Sequence, residues 1–258
     1  MPKSRVNLAT LREVVANQYA LGRRLKWLLA VPFIVTAVMA SMFFTLNARL
    51  KDVELGAKLV TIERFLSVDR NYQWAVDQYE ALAKSNPSAP IFARLGTLYF
   101  QLDPDENETT ALRYLKEAAK YDDKYWEINR SLTYIYTIKA RCKEGIEAGQ
   151  KAIDSDELDA NSLNNVAWLR STCGPRFQDL TKAREYAERA VELTQRKNAQ
   201  FLDTLAEVQH KRGEDDLARQ SLREAIAIAP NNQAQALRDK FKERFPNETL
   251  AEYKEERR

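Results

Sequence analysis

The sequence is poor in helix-breaking residues and in residues that carry out chemistry at active sites. Of its 258 residues, seven are Gly, eight are Pro, two are Cys and one is His. Few Gly and Pro, together with many Ala, Leu, Glu, Lys and Arg, favour helices. Hydrophobic residues make up 45% of the chain and charged residues 30%. That balance allows a buried core and excludes a disordered polymer.

Several chemical motifs are missing. The sequence has no phosphate-binding loop that ends in GK[ST], no CxxC pair and no haem-attaching CxxCH. Asp203, Glu207 and the single histidine, His210, share one face of a predicted helix, a spacing that suits a metal or a proton relay. Three polar residues on one face are common without chemistry, however, and no Gly-rich nucleophile turn accompanies them. The sequence therefore predicts no enzyme, no cofactor and no metal site.

The chain has one long uncharged apolar run, residues 27–46. Twenty helical residues reach about 30 Å, enough to cross the hydrocarbon of a membrane. Six Lys or Arg and one Glu precede the run, which predicts that the N-terminus is cytoplasmic and that the C-terminal part is exported. A cleaved signal peptide is the alternative, but the basic segment is long and residues 46–48 form a poor cleavage site. We therefore expect an uncleaved anchor in a bacterial inner membrane, with the remainder in the periplasm.

Two features flank or lie within this anchor. Residues 1–26 form a basic cytoplasmic segment, and the apolar periodicity within it suits an amphipathic helix. Ala37, Ser41 and Thr45 recur every four residues on one face of the span. Small residues at this spacing allow another membrane helix to approach closely, although small residues that face lipid by chance would look the same.

Internal repeats dominate the exported part. Residues 199–232 place small residues at Ala206, Ala218 and Ala225, a turn at Gly213 and a helix end at Pro230. This 34-residue pattern closely resembles a tetratricopeptide repeat (TPR), and the phrases "NNVAWLRSTC" and "FLDTLAEVQHKRGE" are similar to the last repeats of many bacterial TPR proteins. With the expected anchor, the chain resembles TPR proteins of the membrane-anchored bacterial type. The resemblance implies an all-α fold, a solenoid of helix-turn-helix repeats after the single membrane helix.

The resemblance also implies a domain order. The solenoid occupies residues 47–232, and a capping helix (233–244) and a charged tail (245–258) follow it. Its repeats are predicted at about 56–88, 89–124, 126–159, 160–197 and 199–232.

In this repeat family the first helix of each pair lines a groove that binds a peptide or a protein. Carried over by position, the pattern predicts ten groove residues: Arg130, Tyr134, Asn161, Asn164, Trp168, Ser171, Thr172, Asp203, Glu207 and His210. Their mixture of aromatic and polar groups suits an extended segment or a partner helix. The alternative is that Tyr134 and Trp168 pack between repeats.

The two cysteines, Cys142 and Cys173, fall at equivalent turns of adjacent repeats. Stacked turns lie about 10 Å apart in an ideal array, which is too far for a bond. The longer turn at 173–179 could bring Cys173 back over Cys142, and an exported location is oxidising. A disulfide that closes this loop, unpaired packed thiols and an intermolecular bridge all remain open. If formed, the bond would contribute ~3 kcal/mol.

These observations predict a membrane-anchored protein–protein interaction scaffold, an accessory or assembly subunit of a membrane complex. Its partners would be integral membrane or periplasmic proteins. Nucleic acid is not expected, because the region after the anchor is nearly neutral overall. The alternative is a tethered chaperone-like receptor that binds exported or imported polypeptides.

Overall fold

The computed structural model describes residues 8–248. The surroundings of the side chains are described from residue 35 onward. Before that residue they are described for Asn17 and Phe33. The chain divides into two compact units, Met1–Asp69 and Arg70–Arg258.

The described residues of the first unit form one helix, α1 (Leu8–Asp69). The helix runs without a break from the basic segment through the apolar run and on through residues 56–69. Those last residues fall within the predicted first repeat, at about 56–88. Ala37, Ser41 and Thr45 are exposed, and the Thr45 hydroxyl donates to the Ser41 carbonyl at 2.8 Å.

Among the described residues, no helix is both long enough and apolar enough to cross a membrane. The predicted span, residues 27–46, begins among residues whose side chains lie outside that description. Membrane anchoring therefore stays a prediction from the sequence.

The second unit contains ten helices between residues 70 and 248. They are α2 (Tyr72–Ser85), α3 (Ala89–Leu102), α4 (Glu108–Tyr121), α5 (Trp126–Ile138), α6 (Cys142–Ser155), α7 (Ala160–Thr172), α8 (Leu180–Leu193), α9 (Ala199–Lys211), α10 (Asp215–Ile228) and α11 (Asn231–Arg244).

Short polar residues begin several of these helices. The side chain of Asn71 accepts from the Trp74 amide, that of Asp159 from Asn161, and that of Asp179 from Lys182. Each cap satisfies an amide that has no partner within its helix. Gly213 has a φ of +78°, which suits glycine, in the turn between α9 and α10. These local signals divide residues 72–244 of the second unit into helices of 13 or 14 residues.

The helices pack in antiparallel pairs, α3 with α4, α5 with α6, α7 with α8 and α9 with α10. The first helices of the pairs (α3, α5, α7 and α9) also contact one another in succession. Fully buried alanines, such as Ala111, Ala183 and Ala218, allow the paired helices to approach closely. The all-α, solenoid part of the predicted fold is therefore confirmed.

The middle of the array is held tightly at two places. Cys142 and Cys173 are joined by a disulfide, with their Cα atoms 6.1 Å apart. This bond ties the first residue of α6 to the C-terminal end of α7. On α6, a Cβ at Gly145 would lie 2.6 Å from Leu169 Cδ1, and one at Gly149 would overlap Val166. The two glycines therefore let α6 lie directly against α7.

Replacement of Gly149 by Ala is expected to destabilise the fold by about 1–3 kcal/mol, because the added methyl overlaps Val166 and crowds Thr133 in a packed core. Gly174→Ala is the matched control, because nothing lies within 4 Å of its added methyl. Urea unfolding followed by circular dichroism measures both variants. Equal unfolding midpoints for the two would contradict the close packing of α6 on α7.

Candidate interaction cleft

A cleft of about 230 Å³ lies on the layer of first helices. We call it the first-helix cleft. Residues from α3, α5, α7 and α9 line it: Arg94, Thr97, Gln101, Glu127, Arg130, Ser131, Tyr134, Asn161, Asn164, Asn165, Gln200 and Phe201. Four of the ten predicted groove residues are in this set: Arg130, Tyr134, Asn161 and Asn164.

Side-chain amides are the most frequent groups in the lining of the cleft, at five of its twelve residues. Asn164 is the most buried of them, at 2% exposure, and its Oδ1 has no hydrogen-bond partner within the described part of the chain. A buried acceptor without a partner costs about 1–3 kcal/mol. Asn161, one turn away on α7, is exposed. The lining of the cleft thus includes a residue whose buried amide oxygen has no donor.

The cleft has few charged side chains, and some of them already have partners within the chain. Arg130 lies 3.8 Å from the Asp159 carboxylate and 5.4 Å from the centroid of the Trp126 ring. Glu127 accepts from the Tyr125 hydroxyl at 2.8 Å. With Arg94, the lining holds two cations against one anion. It therefore has a slight positive excess and is not a strongly charged site.

Tyr134 has both a packing and a cleft role. Its ring meets Phe100 edge-on at 5.7 Å, which agrees with packing between repeats, yet the side chain also lines the cleft. Burial raises the pKa of the Tyr134 phenol above its ordinary value. The hydroxyl therefore stays protonated at neutral pH and can donate a hydrogen bond.

The other predicted groove residues lie outside this cleft. Lys240, on α11, places its Nζ 2.6 Å from Asp203 and 5.6 Å from the centroid of the Trp168 ring. Arg244 pairs with Glu207. The last helix therefore engages three of the residues that the sequence analysis assigned to a partner.

His210, Ser171 and Thr172 also have partners within the chain. His210 Nδ1 lies 2.8 Å from Asp215. The Ser171 and Thr172 hydroxyls both donate to the Trp168 carbonyl. Within residues 8–248 no cluster of His, Cys, Asp or Glu side chains could hold a metal ion.

The sequence analysis missed the contribution of α3 to the cleft. Arg94, Thr97 and Gln101 recur at three- and four-residue spacing, so they share one helical face. That spacing was visible in the sequence. The groove pattern was carried only onto the later repeats, so α3 was left out.

The sequence matches no family model and no curated protein. Solved structures with a similar fold do exist. One is TTC0263, a thermophilic TPR protein of Thermus thermophilus, with 17% identity over 74% of this chain and 98% of that chain and a TM-score of 0.57. A second is the Cut9–Hcn1 hetero-tetramer of the APC/C, with 18% identity over 69% of this chain and 34% of that chain and a TM-score of 0.59.

A third similar structure is MamA from Desulfovibrio magneticus RS-1, from residue 41 to its end. It has 11% identity over 67% of this chain and 93% of that chain, with a TM-score of 0.51. At such low identities these likenesses show the fold alone. The chain therefore has a TPR-like fold, and its function rests on its own residues.

Proposed function

We propose that this protein is a membrane-anchored protein–protein interaction scaffold that holds an extended polypeptide segment in the first-helix cleft. In this role it serves as an accessory or assembly subunit of a membrane protein complex. The chain performs no catalysis in this proposal. The observation that carries it is the buried, unpartnered amide oxygen of Asn164 in a cleft lined by side chains from four helices.

The chemistry of the cleft fits main-chain recognition. An extended segment presents N–H donors and C=O acceptors at regular intervals, and side-chain amides can pair with both. Asn164 Oδ1 would accept from a main-chain N–H, and the neighbouring amides of Asn161 and Gln200 lie on the same lining. A volume of about 230 Å³ suits a short stretch of peptide and not a whole helix.

The anchor completes the proposal. Residues 27–46 carry no charged side chain, and basic residues precede them, which supports a single span with a cytoplasmic N-terminus and a bacterial periplasmic array. The Cys142–Cys173 bond is consistent with an oxidising compartment. Ala37, Ser41 and Thr45 would form the face of the span that meets a partner's membrane helix.

One observation favours a second candidate, a tethered chaperone-like receptor. Amide side chains that pair with the main chain read little of the partner's sequence. A cleft lined by them would accept many exported or imported polypeptides. The two candidates differ in the number of partners and share the cleft.

Isolation of the full-length protein from native membranes in mild detergent, with mass spectrometry of the bound proteins, separates them. A stoichiometric set of integral membrane or periplasmic proteins supports the complex subunit. A spread of substoichiometric soluble polypeptides supports the receptor. Recovery of the chain in the soluble fraction would overturn the anchor, and recovery without any bound protein would overturn the scaffold.

Asn164→Leu tests the cleft itself. The substitution keeps the side-chain shape and removes the unpartnered oxygen, so we expect the free energy of unfolding to stay unchanged or to rise by about 1 kcal/mol. Recovery of bound protein is expected to fall about tenfold, because the acceptor for the partner's N–H is lost. Asn129→Leu, on α5 but outside the lining residues, is the matched control. Equal recovery by the two variants would remove Asn164 from the site.

A further inference from the structure

A second pocket lies on the layer of second helices, at the C-terminal end of the array. It has a volume of about 300 Å³ and lies between α8 and α10, with α9 contributing Leu205 and Gln209. We call it the α8–α10 pocket. The remaining lining residues are Arg184, Glu188, Glu192, Arg196, Leu217, Gln220 and Ser221. None of the residues of the first-helix cleft takes part, so this is a separate surface.

Gln209 is a buried polar residue of this pocket with an unsatisfied side-chain oxygen. It is 5% exposed, and its Oε1 has no hydrogen-bond partner among the described residues. A buried amide oxygen without a donor is unfavourable in the folded chain. The Gln209 side chain is part of the pocket lining.

The cations of the pocket are already paired. Arg184 lies 2.8 Å from Glu188 and 2.9 Å from Glu214. Arg196 lies 2.7 Å from Glu224. These two guanidinium groups therefore have carboxylate partners and are not free to bind an incoming anion.

The anions are not all paired. The Glu192 carboxylate has no hydrogen bond or ion pair with any described residue. It is exposed at the mouth of the pocket. With Gln209 Oε1, it gives the pocket two acceptors that have no donor among the described residues.

Apolar groups line the remaining surface. Leu205 is buried, and Leu217 is exposed beside it. Such walls suit the methylene stem of a long basic side chain. A volume of about 300 Å³ is at the small end of the range for ligand sites, so one side chain fits and a cofactor or a helix does not.

We infer that the α8–α10 pocket binds an arginine side chain of a partner protein. The stem lies against Leu205 and Leu217, and the guanidinium donates to Gln209 Oε1 and to the Glu192 carboxylate. Arginine suits the pocket better than lysine, because its planar group presents several N–H donors to two separate acceptors. The scaffold would then hold two partners, one in each site.

N-acetyl-arginine N-methylamide is the probe, and its neutral citrulline counterpart is the control. Full-length protein labelled with ¹⁵N-glutamine is titrated in detergent while the side-chain amide signals are followed by NMR. We expect saturable shifts of the Gln209 signal in the millimolar range, as suits a single side chain. The citrulline compound should produce none.

Two variants assign the contacts. Glu192→Gln, at an exposed position, is expected to weaken binding of the probe about tenfold, while Glu185→Gln, exposed on the same helix, leaves it unchanged. Gln209→Met keeps the side-chain length and removes the amide, so we expect the Gln209 signal to vanish and protection against thermal unfolding by the probe to disappear.

Three results would overturn the inference: no shift with the arginine probe, equal shifts with citrulline, or full binding by Glu192→Gln. Asn164→Leu should bind the probe like the unmodified chain. The arginine probe therefore tests the α8–α10 pocket, and the recovery of proteins bound to Asn164→Leu tests the first-helix cleft. Either proposal can fail while the other holds.

Discussion

Replacement of both Cys142 and Cys173 by Ser is expected to lower the free energy of unfolding by about 3 kcal/mol. The bond closes a loop with a sequence separation of 31 residues, and its loss returns that entropy to the unfolded chain. The effect should concentrate in α5 to α8, because neighbouring pairs in a solenoid are stabilised mainly by each other.

Urea unfolding of the full chain, with and without a reductant, measures the effect. The unmodified protein should lose stability when reduced, and the double serine variant should not respond to the reductant. Alkylation of the unfolded, unreduced protein followed by mass spectrometry should find both thiols blocked. Full labelling of both thiols would show that the bond does not form.

Replacement of Arg244 by Ala is expected to destabilise the C-terminal end of the array by about 3 kcal/mol, the lower end of the range for breaking a buried ion pair. Glu207 is 6% exposed and pairs with Arg244. Lys211 lies 3.8 Å from the same carboxylate and compensates it in part. Without Arg244, a largely buried negative charge loses its principal partner.

A double variant separates the pair from the packing of α11. Glu207→Leu with Arg244→Leu removes both charges together, and we expect it to be less destabilised than Arg244→Ala. Hydrogen exchange of α11 amides and urea unfolding report the two effects. If the single and double variants lose the same stability, the ion pair does not hold α11 in place.

The sequence was sufficient to predict an all-α solenoid. Within the 34-residue repeat 199–232, the small residues Ala206, Ala218 and Ala225 and the turn at Gly213 indicate close helix packing. The buried state of these alanines in the structure follows the same rule. Local periodicity does not show where a helix continues, so the single helix from Leu8 to Asp69 was divided at segment boundaries set by composition.

The candidate sites were harder to predict because they depend on contacts between distant residues. The register of Asp203 and Glu207 on α9 placed them on a groove face, but only the folded chain shows that Lys240 and Arg244 come from 37 residues away to pair with them. The sequence also cannot show that Asn164 Oδ1 lacks a hydrogen-bond donor, because this depends on which residues surround it in the folded chain. The sequence could not decide whether Cys142 and Cys173 form a disulfide for a similar reason. Their separation depends on the path of the turn at 173–179.

The close packing of α6 on α7, with the covalent bond at their shared edge, also affects the mechanics of the array. We expect two helix pairs joined by a disulfide and by close contacts at glycine to bend less than pairs held only by side-chain packing. Elastic deformation under load would then be concentrated in the pairs on either side, α3–α4 and α9–α10. Both pairs contribute walls to the first-helix cleft, so tension along the chain would change the width of the cleft while its centre kept its shape.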